Sequence, residues 1–287
     1  MWMNRLDNTE KAIVLLGNLA ELIKTNQKET IMKPSPQKKK AATRKKSVAA
    51  KKKLAAPKKT ARQPKVRKVL IATPAFDGRV DVWYVNALIN TIRLGIANNI
   101  LIQPVFMSYD ALVQRARNDL VSLAVSEKYD DMIFIDSDME WNPEWVISLL
   151  SRKEHVVGGT TRKKTDQEEV YPVKTTSTAI NKKGLMKCEA IGTGFVKLSK
   201  RAFTALYNTS QEYTNEGKSA RMVFDVSVVD GELWSEDTTM FSKLAVLKIP
   251  VWLDPTMTCN HIGTKKFEGN FLEYLNRLAV QQSMQEQ

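Results

Sequence analysis

Between Val69 and Ser151 short apolar runs alternate three times with amphipathic stripes, and that alternation narrows the folds open to this chain. Val69-Leu70-Ile71-Ala72-Thr73 reads as a strand closed by Pro74. The loop 75–79 leads to a helix over roughly Val82 to Asn98, with Val85, Leu88, Ile89 and Ile92 on one face. A second strand spans Ile100 to Val105, and Asp110 is expected to cap a helix whose stripe is Leu112, Ala116, Leu120, Leu123 and Ala124. Met132 to Ile135 is a third strand, after which Asn142 caps and Pro143 opens a third helix. Strands separated by helices join through right-handed crossovers, so the expected class is α/β with a mainly parallel sheet flanked by helices. No Walker-type or Gly-x-Gly-x-x-Gly loop follows the first strand, which counts against P-loop NTPases and dinucleotide oxidoreductases.

The third strand ends in Asp136-Ser137-Asp138. Near the end of an extended segment, side chains at i and i+2 point the same way, so the two carboxylates can share one ligand. Convergent carboxylates suit a hard divalent cation that takes further oxygens from a phosphate. A strand-to-helix loop is also where open α/β sheets place ligands. The plainer reading is a solvated or capping pair, and the remaining clusters decide between the two. Thr160 to Lys164 is basic and faces phosphate or solvent. Gly192-Thr193-Gly194 would let backbone approach a ligand closely. Ser235-Glu236-Asp237 opens a helix that runs to about Leu247, and His261 follows a late strand, Val251 to Leu253. His155, the other of two histidines, reads as a surface residue.

Charge divides the chain. Residues 33–68 hold 16 of the 44 Lys/Arg and no acid, so the other 28 face 31 Asp/Glu, a net of −3. The segment is Lys/Ala/Pro-rich, too poor in apolar residues to offset its ordering entropy, and is expected to be a disordered basic linker. A polycation of this density binds nucleic acid with steep salt dependence, yet it contains no aromatic residue on which a base could stack. Residues 1–32 read as an amphipathic helix with a stripe at Ile13, Leu16, Leu19, Ala20 and Ile23, and residues 7–24 offer a face for self-association. Residues 68–275 form the folded body and 276–287 a C-terminal tail, with a last helix expected from Gly269 to Gln281. Two distant cysteines, no span-length apolar run and no signal-peptide pattern give the expectation of a cytoplasmic protein, in a host cytoplasm if the gene is viral.

The order of these motifs resembles the GT-A family of nucleotide-sugar glycosyltransferases, in particular soluble, virus-encoded members similar to family 2. The resemblance covers about residues 68 to 270. It implies a Rossmann-like GT-A body and a UDP- or GDP-sugar donor. It also implies Mn2+ or Mg2+ held by Asp138 and His261, with Asp136 contacting the metal or the ribose of the donor. By the same resemblance Thr73, Pro74, Ala75 and Asp77 form the base pocket, while Arg115, Arg117 and Asn118 match a basic segment that precedes the Asp-x-Asp. Gly192, Thr193 and Gly194 form the floor near the donor sugar. Glu236-Asp237 matches the pair in which the Asp is the catalytic base; a helix N-terminus there is expected to favour its ionised form.

The acceptor stays open between a hydroxymethylated base in DNA, for which the basic segment supplies a hold, and a protein or glycan hydroxyl. The rival class is a non-enzymatic nucleic-acid-binding protein with a degenerate transferase-like body. A phosphatase of the HAD class also uses a strand-terminal Asp-x-Asp, but Glu140 stands where that class expects Thr or Val.

Overall fold

A computed structural model of the chain describes residues 66–285 apart from 167 and 216. The chain divides into two units after Lys65, and the second, starting at Val66, is the body described here. The helix expected over 1–32 and nearly all of the linker over 33–67 lie outside the described residues; Arg67 already belongs to the first strand.

The first half alternates as expected. Strand β1 (Arg67–Ala75) leads to helix α1 (Val82–Ala97), β2 (Ile100–Ser108) to α2 (Val113–Ser126), and β3 (Asp131–Ile135) through the short β4 (Met139–Glu140) to α3 (Pro143–Ser151). Asn142 accepts a hydrogen bond from the Glu144 amide, with Pro143 in the first turn, as the sequence predicts. The cap of α2 differs. Leu112 occupies the N-cap, while the Asp110 carboxylate accepts from the Leu112 amide one step outside the helix.

Past β5 (Val156–Thr161) lie β6 (Val173–Lys174), β7 (Met186–Cys188), β8 (Ala190–Ile191) and β9 (Phe195–Ser199), which feeds α4 (Lys200–Thr209). Two hairpins follow, β10 (Glu212–Asn215) with β11 (Lys218–Arg221) and β12 (Ser227–Val229) with β13 (Glu232–Trp234). The second turns on Asp230 and Gly231, both at positive φ, the two-residue geometry that matches strand twist. Helix α5 (Glu236–Val246), β14 (Val251–Ile262), β15 (Lys266–Phe267) and α6 (Phe271–Gln285) complete the body. The segment set aside as a tail, 276–287, is helical as far as Gln285.

Nine strands form one sheet whose path is β15-β14-β5-β9-β3-β1-β2, with β4 and β7 pairing against β14. β1 pairs in parallel with β2 and β3, and β5 with β14. β9 runs antiparallel to both neighbours, β3 and β5, so the five longer strands around it keep one direction. The sheet is therefore mainly parallel, with a single reversed strand between its two parallel groups. Strands covered on both faces should be apolar throughout, and all five residues of β3 are buried. Leu70, Ala72, Met132 and Phe134 pack under α2, α4 and α5, while Val69, Ile71, Ile133 and Ile135 pack under α1 and α3. Alternation along each strand thus divides one apolar run between two helical layers. Among the described residues no helix is long and apolar enough to cross a membrane.

Candidate active site

Because the parallel strands share a direction, their carboxyl ends meet along one edge, together with the turn that enters the reversed β9. A cleft of about 330 Å³ opens there. Its walls come from Pro74, Ala75 and Phe76 after β1, Met107 and Asp110 after β2, and Asp136 to Met139 after β3. Thr161, Pro172, Gly192 to Gly194, Asp237 and His261 close it, with Ala116 and Arg117 of α2 at its base. Trp141, just past the Asp-x-Asp, fixes that loop: its indole donates to Thr91 at 3.0 Å and meets the Tyr84 ring edge-on at 4.9 Å.

Arg117 is the hub. Its side chain is 5% exposed, and it reaches Glu236 Oε1 at 2.6 Å, Asp136 Oδ1 at 2.9 Å and Asp237 Oδ1 at 3.2 Å. Three carboxylates keep the guanidinium charged against the opposing effect of its burial. Asp237 also accepts from the Thr193 hydroxyl at 2.5 Å and the Thr193 amide at 3.3 Å. These bonds fix the carboxylate against the glycine turn. Burial raises the Asp237 carboxyl above its ordinary value; Arg117 and Thr193 oppose the rise, and Glu236 and Asp136 add to it. The N-terminus of α5 was expected to favour the ionised form; burial, with Glu236 and Asp136 beside it, acts the other way.

Asp138 faces the opposite wall. Lys164 Nζ lies 2.6 Å and His261 Nε2 3.4 Å from its Oδ2. Burial works to raise this carboxyl, but hydrogen bonds from His261 and Lys164 and their charges carry it below its ordinary value. His261 Nδ1 lies 3.0 Å from the Arg162 carbonyl, which can only accept, so Nδ1 carries a hydrogen. Nε2 is thus the ring nitrogen that faces the Asp138 carboxylate, and Lys164 donates to the same oxygen.

The charges do not balance. Asp136, Asp138, Glu236 and Asp237 stand against Arg117 and Lys164, leaving an excess of two negative charges around the cleft. Among the described residues no three His, Cys, Asp or Glu side chains are gathered as a metal-binding group. Asp136 turns to Arg117, so of the three expected ligands only Asp138 and His261 face each other.

Pro74, Ala75, Arg117, Asp136, Asp138, Gly192, Thr193, Gly194, Asp237 and His261 all line the cleft. Glu236 sits behind Arg117. Four expected binding residues lie elsewhere. Thr73 is fully buried beneath the floor, bonded to the Tyr84 hydroxyl at 2.5 Å. Asp77 is exposed and accepts from the Arg79 amide in its own turn. Arg115 grips Asp110 through two bonds of 2.8 Å, and Asn118 pairs with the Phe224 backbone through both amide atoms. Adjacent helical residues point about 100° apart, so Arg117 and Asn118 cannot both face the cleft. His155, expected at the surface, is half-buried with Nδ1 3.0 Å from the Ser199 hydroxyl. Among the cleft residues, Met107 and Pro172 were not singled out, and Asp110 was expected only as a cap. Lys164, which reaches Asp138, was read only as part of a basic run.

No family model matches the chain, and no curated protein matches it. Two solved structures are similar to it in part. One is A197 from STIV, 17% identical, matched over 69% of this chain and 86% of that one at a TM-score of 0.43. The other is a glycosyltransferase involved in the glycosylation of the major capsid of PBCV-1, 10% identical over 48% of this chain and 62% of that one, at a TM-score of 0.29.

Proposed function

We propose that this chain is a glycosyltransferase that moves a sugar from a nucleotide-sugar donor to an acceptor hydroxyl, with Asp237 as the base. The observation that carries the reading is the pairing, in one cleft, of two carboxylate centres of opposite character. Asp237 is raised, oriented by Thr193 and Arg117, and suited to take a proton. Asp138 is held ionised beside an imidazole nitrogen.

In the transfer, the acceptor oxygen forms a bond to the anomeric carbon as the bond from that carbon to the diphosphate breaks. The hydroxyl proton passes to Asp237, and the bonding electron pair leaves with the nucleoside diphosphate. Arg117 keeps Asp136, Glu236 and Asp237 together, and Lys164 offers a charge to the departing phosphate. Gly194 lets the chain run close under the donor: a Cβ there would sit 2.6 Å from Met139 Cε and 3.1 Å from Asp136 Oδ2.

A divalent cation fits these residues. Asp138 Oδ2 with His261 Nε2 is an oxygen-nitrogen pair that suits Mn2+ better than Mg2+. Asp138 and His261 would hold it. Bound there, the ion supplies neutralisation of charge on the leaving group.

Calorimetric titration with UDP- and GDP-sugars, with and without manganese, tests the reading. Manganese-dependent binding that disappears in Asp138→Ala supports it. A folded protein that binds no donor overturns it and leaves the basic segment as the main functional element.

A further inference from the structure

A second cavity, a groove of about 650 Å³, lies next to the cleft along the β6–β8 ladder and helix α5. In the ladder Val173 pairs with Ile191 and Lys174 with Ala190. Pro172 and Gly192 line the cleft, while Lys174 and Ala190, two residues further along, line the groove, so the ladder leads from one to the other. Helix α5 repeats the pattern: Asp237 faces the cleft and Thr238 the groove.

The groove has an apolar floor and a basic rim. Phe241, Ile249 and Val251 are buried in the floor, and the half-buried Trp234 forms one side. Lys174, Lys187 and Lys248 stand around it. Glu189 is the single acid among them and lies 3.6 Å from Lys174. Among the described residues Lys187 and Lys248 have no carboxylate partner.

This lining selects its occupant. A neutral glycan would leave the three lysine charges unmatched, with Thr238, Ser242 and one engaged carboxylate as the other polar side chains for its hydroxyls. A single nucleic-acid strand needs a row of stacking rings and a track of cations, whereas the groove has one accessible indole and no arginine. A peptide with a bulky apolar side chain for the floor and carboxylates for the three lysines matches both features. We propose that the groove seats the acceptor, and that the acceptor is an acidic, extended protein segment that presents a hydroxyl past Gly192 to Asp237. The inference rests on the transferase reading and specifies its substrate class.

The test is fluorescence anisotropy of a labelled peptide alternating Glu and Leu with one Ser, on the full chain. Excess duplex DNA is included to saturate the basic residues 33–68. Binding is expected to weaken about ten-fold in Lys187→Glu/Lys248→Glu, whose positions are exposed. The same loss is expected in Ala245→Trp, which fills the groove from the outer side of α5. Peptide affinity unchanged in both variants overturns the inference. So does an oligonucleotide or an acidic oligosaccharide that binds better than the peptide and is lost in the same variants. Donor titration of the same protein keeps the two readings apart. Donor binding without peptide binding removes the groove and spares the transferase; peptide binding without donor binding does the reverse.

Discussion

Arg117→Met isolates the charge at the centre of the site. Methionine keeps much of the buried stem and removes the guanidinium, leaving Asp136, Glu236 and Asp237 converging on an apolar thioether. Removing one partner of a buried ion pair costs roughly 3–5 kcal/mol. The three carboxylates retain 18–29% of their side-chain exposure, so water recovers part of that loss, and about 3 kcal/mol is expected at pH 7. With a urea dependence of about 2 kcal/mol per molar, the unfolding midpoint should fall by about 1.5 M. The pH dependence is the sharper readout. Asp237 already has a raised carboxyl in the folded protein, so the folded state binds the extra proton and stability is lost as pH rises from 3.8 through the raised value. Arg117 opposes that rise; without it the value moves higher and the window widens towards neutrality. The variant should therefore regain much of its deficit between pH 7 and pH 5, followed by tryptophan fluorescence in urea at each pH. An equal deficit at both pH values would refute the charge argument and assign the loss to packing, for instance against the Phe224 ring, 5.8 Å from the guanidinium carbon.

Asp237→Asn keeps a partner for Thr193 and Arg117 but cannot take a proton; donor binding should persist while transfer falls about 10²- to 10⁴-fold, read by calorimetry and product formation. Gly194→Ala should weaken donor binding about ten-fold while shifting stability by only about 1 kcal/mol, because the nearest obstacle is the mobile end of Met139 and the next is Asp136. Lys197, 1% exposed, is lowered by burial to about 8, its Nζ donating to the carbonyls of Arg152 and Glu154. Its folded state binds fewer protons than the unfolded one between about pH 8 and 10.5, so stability should rise across that window by on the order of 3 kcal/mol. Lys197→Met should remove that slope in urea titrations.

Particular residues show what the sequence alone could reveal. Val69–Thr73 and Met132–Ile135 were legible as strands because covered strands are apolar on both faces. Asp136, Asp138, Gly192 to Gly194, Asp237 and His261 each stand where a strand ends or a helix begins, and a mainly parallel sheet brings such positions to one edge. Strand direction leaves no trace in periodicity, so the reversal of β9 was not readable. Nor was the length of β14, expected over Val251 to Leu253 but running to Ile262. Its register against β5 shifts between Leu253 and Thr258, and an irregular strand with Pro255 in it breaks the period-two pattern. Asp77, Arg115 and Asn118 were placed at the site by the family resemblance, and in the structure helix phase and local turns engage them with Arg79, Asp110 and Phe224 instead.

Helix α5 links the two halves of the functional argument. Its first turn holds Glu236 and Asp237 on Arg117, and the half-buried Thr238 and Ser242 with the exposed Ala245 form one side of the groove. A ligand in the groove therefore presses on the element that positions the base. Ser235 caps α5 through the Thr238 amide, and Trp234 of the preceding hairpin borders the groove, so a seated peptide meets the cap and the base within four residues of chain. Burial already raises the Asp237 carboxyl, and covering the groove would exclude more water from this end of the helix. An acceptor that binds there would raise that carboxyl further. The base would then be strongest when its substrate is in place, so the transfer reaction should show a higher acidic pKa with the peptide bound than the free enzyme shows in donor hydrolysis.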